Sequence, residues 1–334
     1  MSRELPKGLK ETMQKQGYHF VGRHSAIKTC EYTANGLRGK TLCYKYTFYG
    51  IRSWQCMQST TAIGCDLACR FCWRLIPEEE GYKWNELNAT DSWDDPAYIV
   101  EGLIEEHRKL ISGFKAFADT ELKRRRLEES YNPKHVALSL TGEPLFYPRM
   151  SDLLREFHKR GISTFLVHNG SLPEALERLT EMPTQLYISL QAPDKETYEK
   201  VVRPKIANSW DRFIRALEVF SKLKTRRVLR MTLVKGLNMH NPEGYAKLIR
   251  IADPDYVEVK GFSFVGGARN PKRELTYESM PTHEEIRDFA EQIARYSSYI
   301  YTAEHRPSRV VLLSRDKEAA DNRIIDFSKI GKDL

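Results

Sequence analysis

The sequence predicts an α/β fold, a (βα)6 partial TIM barrel. Two observations support this: six short segments are apolar almost without interruption, and amphipathic helical stretches lie between them. Strands buried on both faces of a parallel sheet read this way, because neither face is left to water. In chain order the candidate strands are TTAIG (60–64), HVALSLT (135–141), STFLVH (163–168), QLYISLQ (185–191), VLRMTLV (228–234) and YVEVKGF (256–262). The intervening helices carry apolar residues at three-to-four spacing. The first runs through Ile99, Val100, Leu103, Ile104, Leu110 and Ile111 and opens on Asp95-Pro96, a cap followed by a first-turn proline. Met150, Leu153, Leu154 and Phe157 mark a second, stopped by Gly161. Trp210, Phe213, Leu217 and Phe220 mark a third, and THEEIRDFAEQIARY near residue 290 gives another. Right-handed crossovers between successive parallel strands curl such a series toward a barrel.

Residues 1–58 differ: they are polar and loop-rich, with scattered aromatics and three cysteines, and are read as an N-terminal extension to a barrel unit at 59–334. The stretch 76–133 is long for one crossover and is expected to be a helical insertion, with IPEEEGYKW and DSWDD as surface loops. A chain of 334 residues with 41% apolar content builds a sizeable core without disulfides. The opening MSRELPKGLKETMQKQG lacks the apolar stretch of a signal peptide, and no run of about eighteen apolar residues occurs. The expectation is a cytoplasmic protein with no membrane contact, in which thiols stay reduced and clustered cysteines mean metal or redox chemistry. Lysine and arginine number 53 against 45 acidic residues, a net charge of +8. The basic residues bunch at Lys123–Arg126, Lys224–Arg227 and Arg269–Arg273. One such run is usually a solvated helix face; several together favour phosphate contacts with a nucleic acid.

All six cysteines precede residue 73. Cys65, Cys69 and Cys72 sit in one loop directly after a strand. Thiolates are soft ligands that select zinc, copper(I) or iron–sulfur. Structural zinc wants four protein ligands, usually as two knuckles, and no histidine lies between Thr60 and Arg74. A cubane on three thiolates leaves one iron open to a small molecule. The C-x3-C-x2-C spacing, with Phe71 before the last cysteine, resembles the signature of the radical S-adenosylmethionine (SAM) superfamily. That resemblance implies a radical SAM partial barrel, a 4Fe–4S cluster and SAM as cofactor.

Cys30, Cys43 and Cys56 form a second group with twelve residues in each gap. Isolated cysteines are ordinarily small buried hydrophobes, and zinc shared between the triplets is a competing reading. The two triplets together resemble the family of tRNA 4-demethylwyosine synthases of the wybutosine pathway, over most of the chain from about Thr29 to Gly266. That resemblance implies a second 4Fe–4S cluster on Cys30, Cys43 and Cys56. Eukaryotic members carry a flavodoxin-like domain ahead of the cysteines; this chain begins almost at them. It is therefore expected to be of the archaeal form, with an external one-electron donor of flavodoxin or ferredoxin type.

Barrel chemistry sits at the carboxyl ends of strands. There the resemblance assigns Thr141, Gly142 and Glu143 to the segment that holds the SAM amino group, with Thr141 replacing a glycine. Asn169, after His168, matches a family Asn-Gly element, and Ser189 and Gln191 match positions contacting the SAM ribose and carboxylate. Arg230, Lys235 and Lys260 fall near the mouth. Lys45, two residues past Cys43, is the candidate for a Schiff base with pyruvate, with Lys40 an equally basic neighbour. The implied reaction takes hydrogen from the N-methyl group of N1-methylguanosine, 3′ of the anticodon of tRNA-Phe. The carbon radical then joins pyruvate, positioned by the open iron of the second cluster, by Lys45, or by both, and loss of the pyruvate carboxyl carbon and ring closure give 4-demethylwyosine. The insertion at 76–133, with Trp93 and Lys123–Arg126, is the expected cradle for the anticodon arm. Two other readings stand: a radical SAM enzyme acting on a peptide, and a non-catalytic, zinc-stabilised RNA-binding protein.

Overall fold

The computed structural model describes residues 5–88 and 92–331. Among these residues ten strands form one sheet in the order β1-β2-β3-β4-β5-β6-β7-β8-β10-β9. They are β1 (His19–Val21), β2 (Ser25–Lys28), β3 (Cys56–Thr60), β4 (His135–Leu138), β5 (Ser163–His168), β6 (Gln185–Ser189), β7 (Arg226–Arg230), β8 (Tyr256–Lys260), β9 (Ile300–His305) and β10 (Val310–Ser314). Strands β3 to β8 are parallel and sequential, the expected partial barrel. Both edges carry antiparallel additions: the β1–β2 hairpin lies against β3, and β10 with β9 lies against β8.

The first parallel strand lies earlier than the sequence suggested. It is Cys56–Thr60, and residues 60–64 are the turn that follows. CMQST does not read as a buried strand because Gln58 and Thr60 line the polar interior. The apolar Ile63 is instead buried outside the sheet, against Leu9 and Met13 of helix α1 (Lys7–Lys15). The extension is also more regular than predicted. It holds α1, the β1–β2 hairpin, α2 (Glu31–Leu37) and α3 (Tyr44–Tyr49).

Alternation along the strands separates two environments. One face, with Met57, Leu138, Leu166, Leu186, Leu229 and Val257, packs into the main core under the crossover helices. The other face presents Phe165, Tyr187, Val228 and Tyr256 to Tyr44, Phe48 and Tyr49, so α3 plugs part of the barrel interior. Nearer the carboxyl ends, inward positions turn polar and stay partly exposed: Gln58, Ser139, Asn169, Ser189, Arg230 and Lys260. The helices begin where the sequence places their caps. The Asp95 carboxylate accepts from the N–H of Ala97 (2.9 Å), and Thr282 and Glu285 cap each other's backbone at the helix His283–Ser297. Among the described residues no helix is long and apolar enough to cross a membrane.

Candidate active site

Cys65, Cys69 and Cys72 occupy the loop after β3, half-buried and without disulfides. This loop is clasped to the segment after β4. The Thr60 hydroxyl donates to the Thr141 carbonyl (2.6 Å), and the Glu143 N–H donates to the Gly64 carbonyl (3.0 Å). Gly142 has φ of 68°, and a Cβ there would lie 2.0 Å from the Ala62 carbonyl oxygen. Only glycine fits both the backbone conformation and the approach.

Glu143 is 1% exposed. Its two oxygens accept from the N–H groups of Leu145 (3.0 Å) and Asn169 (2.8 Å). The Asn169 amide in turn donates to Asp66 (2.8 Å) and approaches the Cys65 sulfur at 3.6 Å. Burial pushes the Glu143 carboxyl up to about 8, with the Asp66 charge adding to it, and burial raises Asp66 as well. Two buried acids beside three thiols leave this corner short of positive charge, which a bound ammonium and a metal cluster would supply.

The other assigned positions lie apart from this network. Ser189, partly exposed at the end of β6, stands in register with Arg230. Gln191 is structurally engaged: its amide oxygen accepts from the Thr232 N–H (3.2 Å) and its carbonyl from Asn238 (2.8 Å). Phe71 packs against the cluster of Val234, Phe262 and Leu275. Lys235 pairs with Glu285 on the surface (2.8 Å), away from the interior.

The far end of the cysteine loop is held by Arg273, whose side chain is 0% exposed. Its guanidinium takes both oxygens of Glu79 (2.9 and 2.8 Å) and donates to the carbonyls of Cys72 and Arg74. Arg70 returns a bond to the Arg273 carbonyl (3.0 Å), and Gly267 N–H bonds the Trp73 carbonyl (2.8 Å). The segment after β8 thus fixes the geometry of the loop.

Cys30 and Cys43 directly precede α2 and α3, and Cys56 opens β3. The three thiols lie near one another, and burial, followed by the Cys30 charge, pushes Cys43 and Cys56 up to about 12. Only a strong cation draws the protons from such thiols, as cluster metals do. Among the described residues no three His, Cys, Asp or Glu side chains converge on a single ion. The chemistry of each donor set, three soft and partly exposed thiols, fits a cubane. Arg74, 6% exposed, lies over the Trp73 ring (3.1 Å to the centroid) close to Cys72 and to Cys30. Among the described residues its Nε and Nη2 have no hydrogen-bond partner, and the buried cation lies near a cysteine of each triplet.

Lys45 extends into the interior, its ammonium 4.4 Å from the Tyr187 ring centroid and 5.6 Å from that of Phe165. Burial lowers its pKa, opposed by Glu258. Lys40 is exposed, which leaves Lys45 as the interior lysine of the pair. Lys260 donates to the carbonyls of Ser308 (3.1 Å) and Gly261 (3.3 Å), and burial followed by nearby Arg230 lowers it to about 7.

The basic runs are largely structural. Arg126 donates to the Gly36 carbonyl (3.0 Å) and stacks on Trp54; Arg226 bonds the carbonyls of Asn322 and Arg323; Arg227 and Arg273 are buried. Trp93 packs edge-on to His24 and Tyr147. Asp66, Glu79, Arg273 and Glu258 were not singled out from the sequence; only the position of Asp66, next to Cys65, offered a signal.

Residues 60–249 match the radical SAM superfamily, and residues 251–315 match the family of wyosine base formation. The S-adenosyl-L-methionine-dependent tRNA 4-demethylwyosine synthase of Pyrococcus horikoshii is 47% identical over 317 residues, covering 93% of this chain and 90% of that protein. The mouse enzyme of that name, TYW1, is 38% identical over 320 residues, covering 95% of this chain but 43% of its own length. The solved structure of TYW1 with a lysine-pyruvate adduct bound superposes with a TM-score of 0.83 at 31% identity, covering 97% of this chain and 99% of that one. Likeness of this extent, running through both matched segments, places the chain in the family of S-adenosyl-L-methionine-dependent tRNA 4-demethylwyosine synthases, radical SAM enzymes of wyosine formation.

Proposed function

We propose that this synthase condenses N1-methylguanosine, 3′ of the anticodon in tRNA-Phe, with pyruvate, and that Cys30, Cys43 and Cys56 hold a second 4Fe–4S cluster beside Lys45. The observation that carries this reading is the gathering of the second thiol triplet and Lys45 beside the inner face of the barrel. The lysine-pyruvate adduct of the related TYW1 supports it.

Cys65, Cys69 and Cys72 would hold a 4Fe–4S cluster, which together with bound SAM would supply a 5′-deoxyadenosyl radical. Glu143 takes the SAM ammonium, gaining the positive neighbour its buried carboxyl lacks. Gly142 lets the Thr141–Glu143 backbone pass against the Ala62 carbonyl ahead of the cysteine loop, Asn169 fixes both Glu143 and Asp66, and Phe71 packs the loop. Ser189 and Gln191 would face the SAM ribose and carboxylate, as the family resemblance implies. Lys45 adds to the pyruvate carbonyl and forms an imine with loss of water, which fixes the acceptor carbon for the incoming radical. The α3 plug excludes water from one end of the interior.

The target base leaves its stack to enter. Trp73, 44% exposed and next to Cys72, offers a stacking face. Arg124 and Arg125, exposed on the helix Glu121–Ser130, offer phosphate contacts within the 76–133 insertion. In this arrangement the second cluster is carried by the extension ahead of β3 together with Cys56, which already lies on that first barrel strand, so the barrel begins at residue 56 and not at 59. A flavodoxin or ferredoxin in the cytoplasm supplies the electron. Replacing Arg124 and Arg125 together by alanine should weaken tRNA binding and flatten the log–log salt dependence by about 1 to 2 units, measured by filter binding across a salt series. An unchanged slope removes these residues from the interface.

The test of the function is an oxygen-free assay with SAM, reductant, pyruvate and N1-methylguanosine-containing tRNA, read by nucleoside mass spectrometry. The tricyclic nucleoside should form only with pyruvate present. Product that forms equally without pyruvate rules out this carbon source.

A further inference from the structure

Arg230 ends β7 on the inner face of the sheet, in register with Ser189 on one side and Glu258 on the other. Its guanidinium makes no hydrogen bond among the described residues, and its ion pair with Glu258 is long, at 3.9 Å. Glu258 is fully buried and already committed: one oxygen accepts from the Tyr44 hydroxyl (2.8 Å) and the other from Tyr49 (2.9 Å). It offsets the charge of Arg230 without occupying its fork of donors. The arginine side chain is 28% exposed, so its donors are open to the interior.

The neighbouring cations are placed differently. The Lys260 ammonium is spent on two backbone carbonyls. Lys45 lies over Tyr187, and Tyr187 and Cys43 also border Arg230. A guanidinium with unfilled donors in a low-dielectric interior is costly unless a ligand accepts from it. An α-keto acid carries such an acceptor, a planar carboxylate, one bond from the carbon that a lysine attacks. The guanidinium keeps its charge at every relevant pH and matches that plane with two parallel N–H donors.

We propose that Arg230 binds the carboxylate of the α-keto acid through its guanidinium fork, presenting the adjacent carbonyl carbon to Lys45. This rests on the assignment of Lys45 as the imine-forming residue. Arg230 is then what separates pyruvate from small ketones and amides that lack a carboxylate.

The test titrates labelled pyruvate, and separately the neutral analogue pyruvamide, into reconstituted oxygen-free holoenzyme, followed by NMR. Arg230→Gln should raise the Kd for pyruvate about 10- to 100-fold while leaving that for pyruvamide nearly unchanged. Arg230→Lys, which keeps the charge but loses the fork, should fall between. Iron per chain and SAM affinity are measured alongside, and should the Gln variant lose iron, the Lys variant gives the reading. Unchanged pyruvate affinity, or an equal loss for pyruvate and pyruvamide, overturns the assignment. Cyanoborohydride trapping reads Lys45 separately: a wild-type enzyme that forms no adduct there, yet needs Arg230 to bind pyruvate, loses the imine and keeps the carboxylate site.

Discussion

Alanine at Lys45 is expected to reduce formation of the tricyclic nucleoside by about 1,000-fold or more, while SAM cleavage continues. In the proposed reaction the imine would turn an encounter between two bound partners into a reaction within one assembly. Losing even ~4 kcal/mol of that advantage gives this factor. Alanine also vacates space over Tyr187 and Phe165, so a second variant is needed. Lys45→Arg keeps a cation on those rings but offers no nucleophile, and should be equally inactive. Nucleoside mass spectrometry against 5′-deoxyadenosine release measures both variants. Appreciable product from Lys45→Arg would remove covalent catalysis from this residue.

Arg273→Ala should destabilise the protein by about 3 to 5 kcal/mol and empty the first cluster site preferentially. The variant leaves Glu79 without its partner and frees the carbonyls of Cys72 and Arg74 in a buried setting. Arg273→Lys should recover little, because three donors on one nitrogen cannot reproduce the fork that reaches both Glu79 oxygens and two carbonyls. Burial alone would raise the Glu79 carboxyl, but bonding and charge from Arg273 hold it below the usual carboxylate range. A depressed acid stabilises the fold above its unfolded pKa and loses that contribution as pH falls through the folded value. The clasp should therefore hold in full near neutrality, begin to weaken as pH falls past the ordinary carboxylate range and be lost through the lower folded value. Thermal denaturation with iron analysis measures both effects. A variant that keeps wild-type stability and iron would show that the clasp does not hold the loop.

The parallel strands were legible because burial on both sides writes itself as apolar runs such as STFLVH and VLRMTL. The first strand was not, since CMQST turns Gln58 and Thr60 toward a polar interior. Nor was α3: YKYTFY carries no helical periodicity, and its aromatics are buried by strands more than 100 residues away, Phe165, Tyr187 and Tyr256 among them. The second cysteine triplet, spread over two helix starts and a strand, was read only through the family resemblance; the first was readable because spacing within one loop is local. Arg273 and Glu258 were not, because their partners are set by tertiary contact. The run Arg269–Arg273 read as surface charge, yet its last member is among the most deeply buried side chains in the protein. Sequence gives the sign of a charge but not which way the chain turns it.

The central claim is that six cysteines form two three-thiolate cages with different tasks. The most direct measurement is iron and product per chain in a Cys30→Ser, Cys43→Ser, Cys56→Ser triple variant, reconstituted without oxygen beside the wild type. Two intact cubanes give about eight irons in the wild type and about four in the variant. The variant should still release 5′-deoxyadenosine from SAM but make no tricyclic nucleoside. A triple variant that keeps all its iron, or forms the nucleoside at the wild-type rate, would contradict the account.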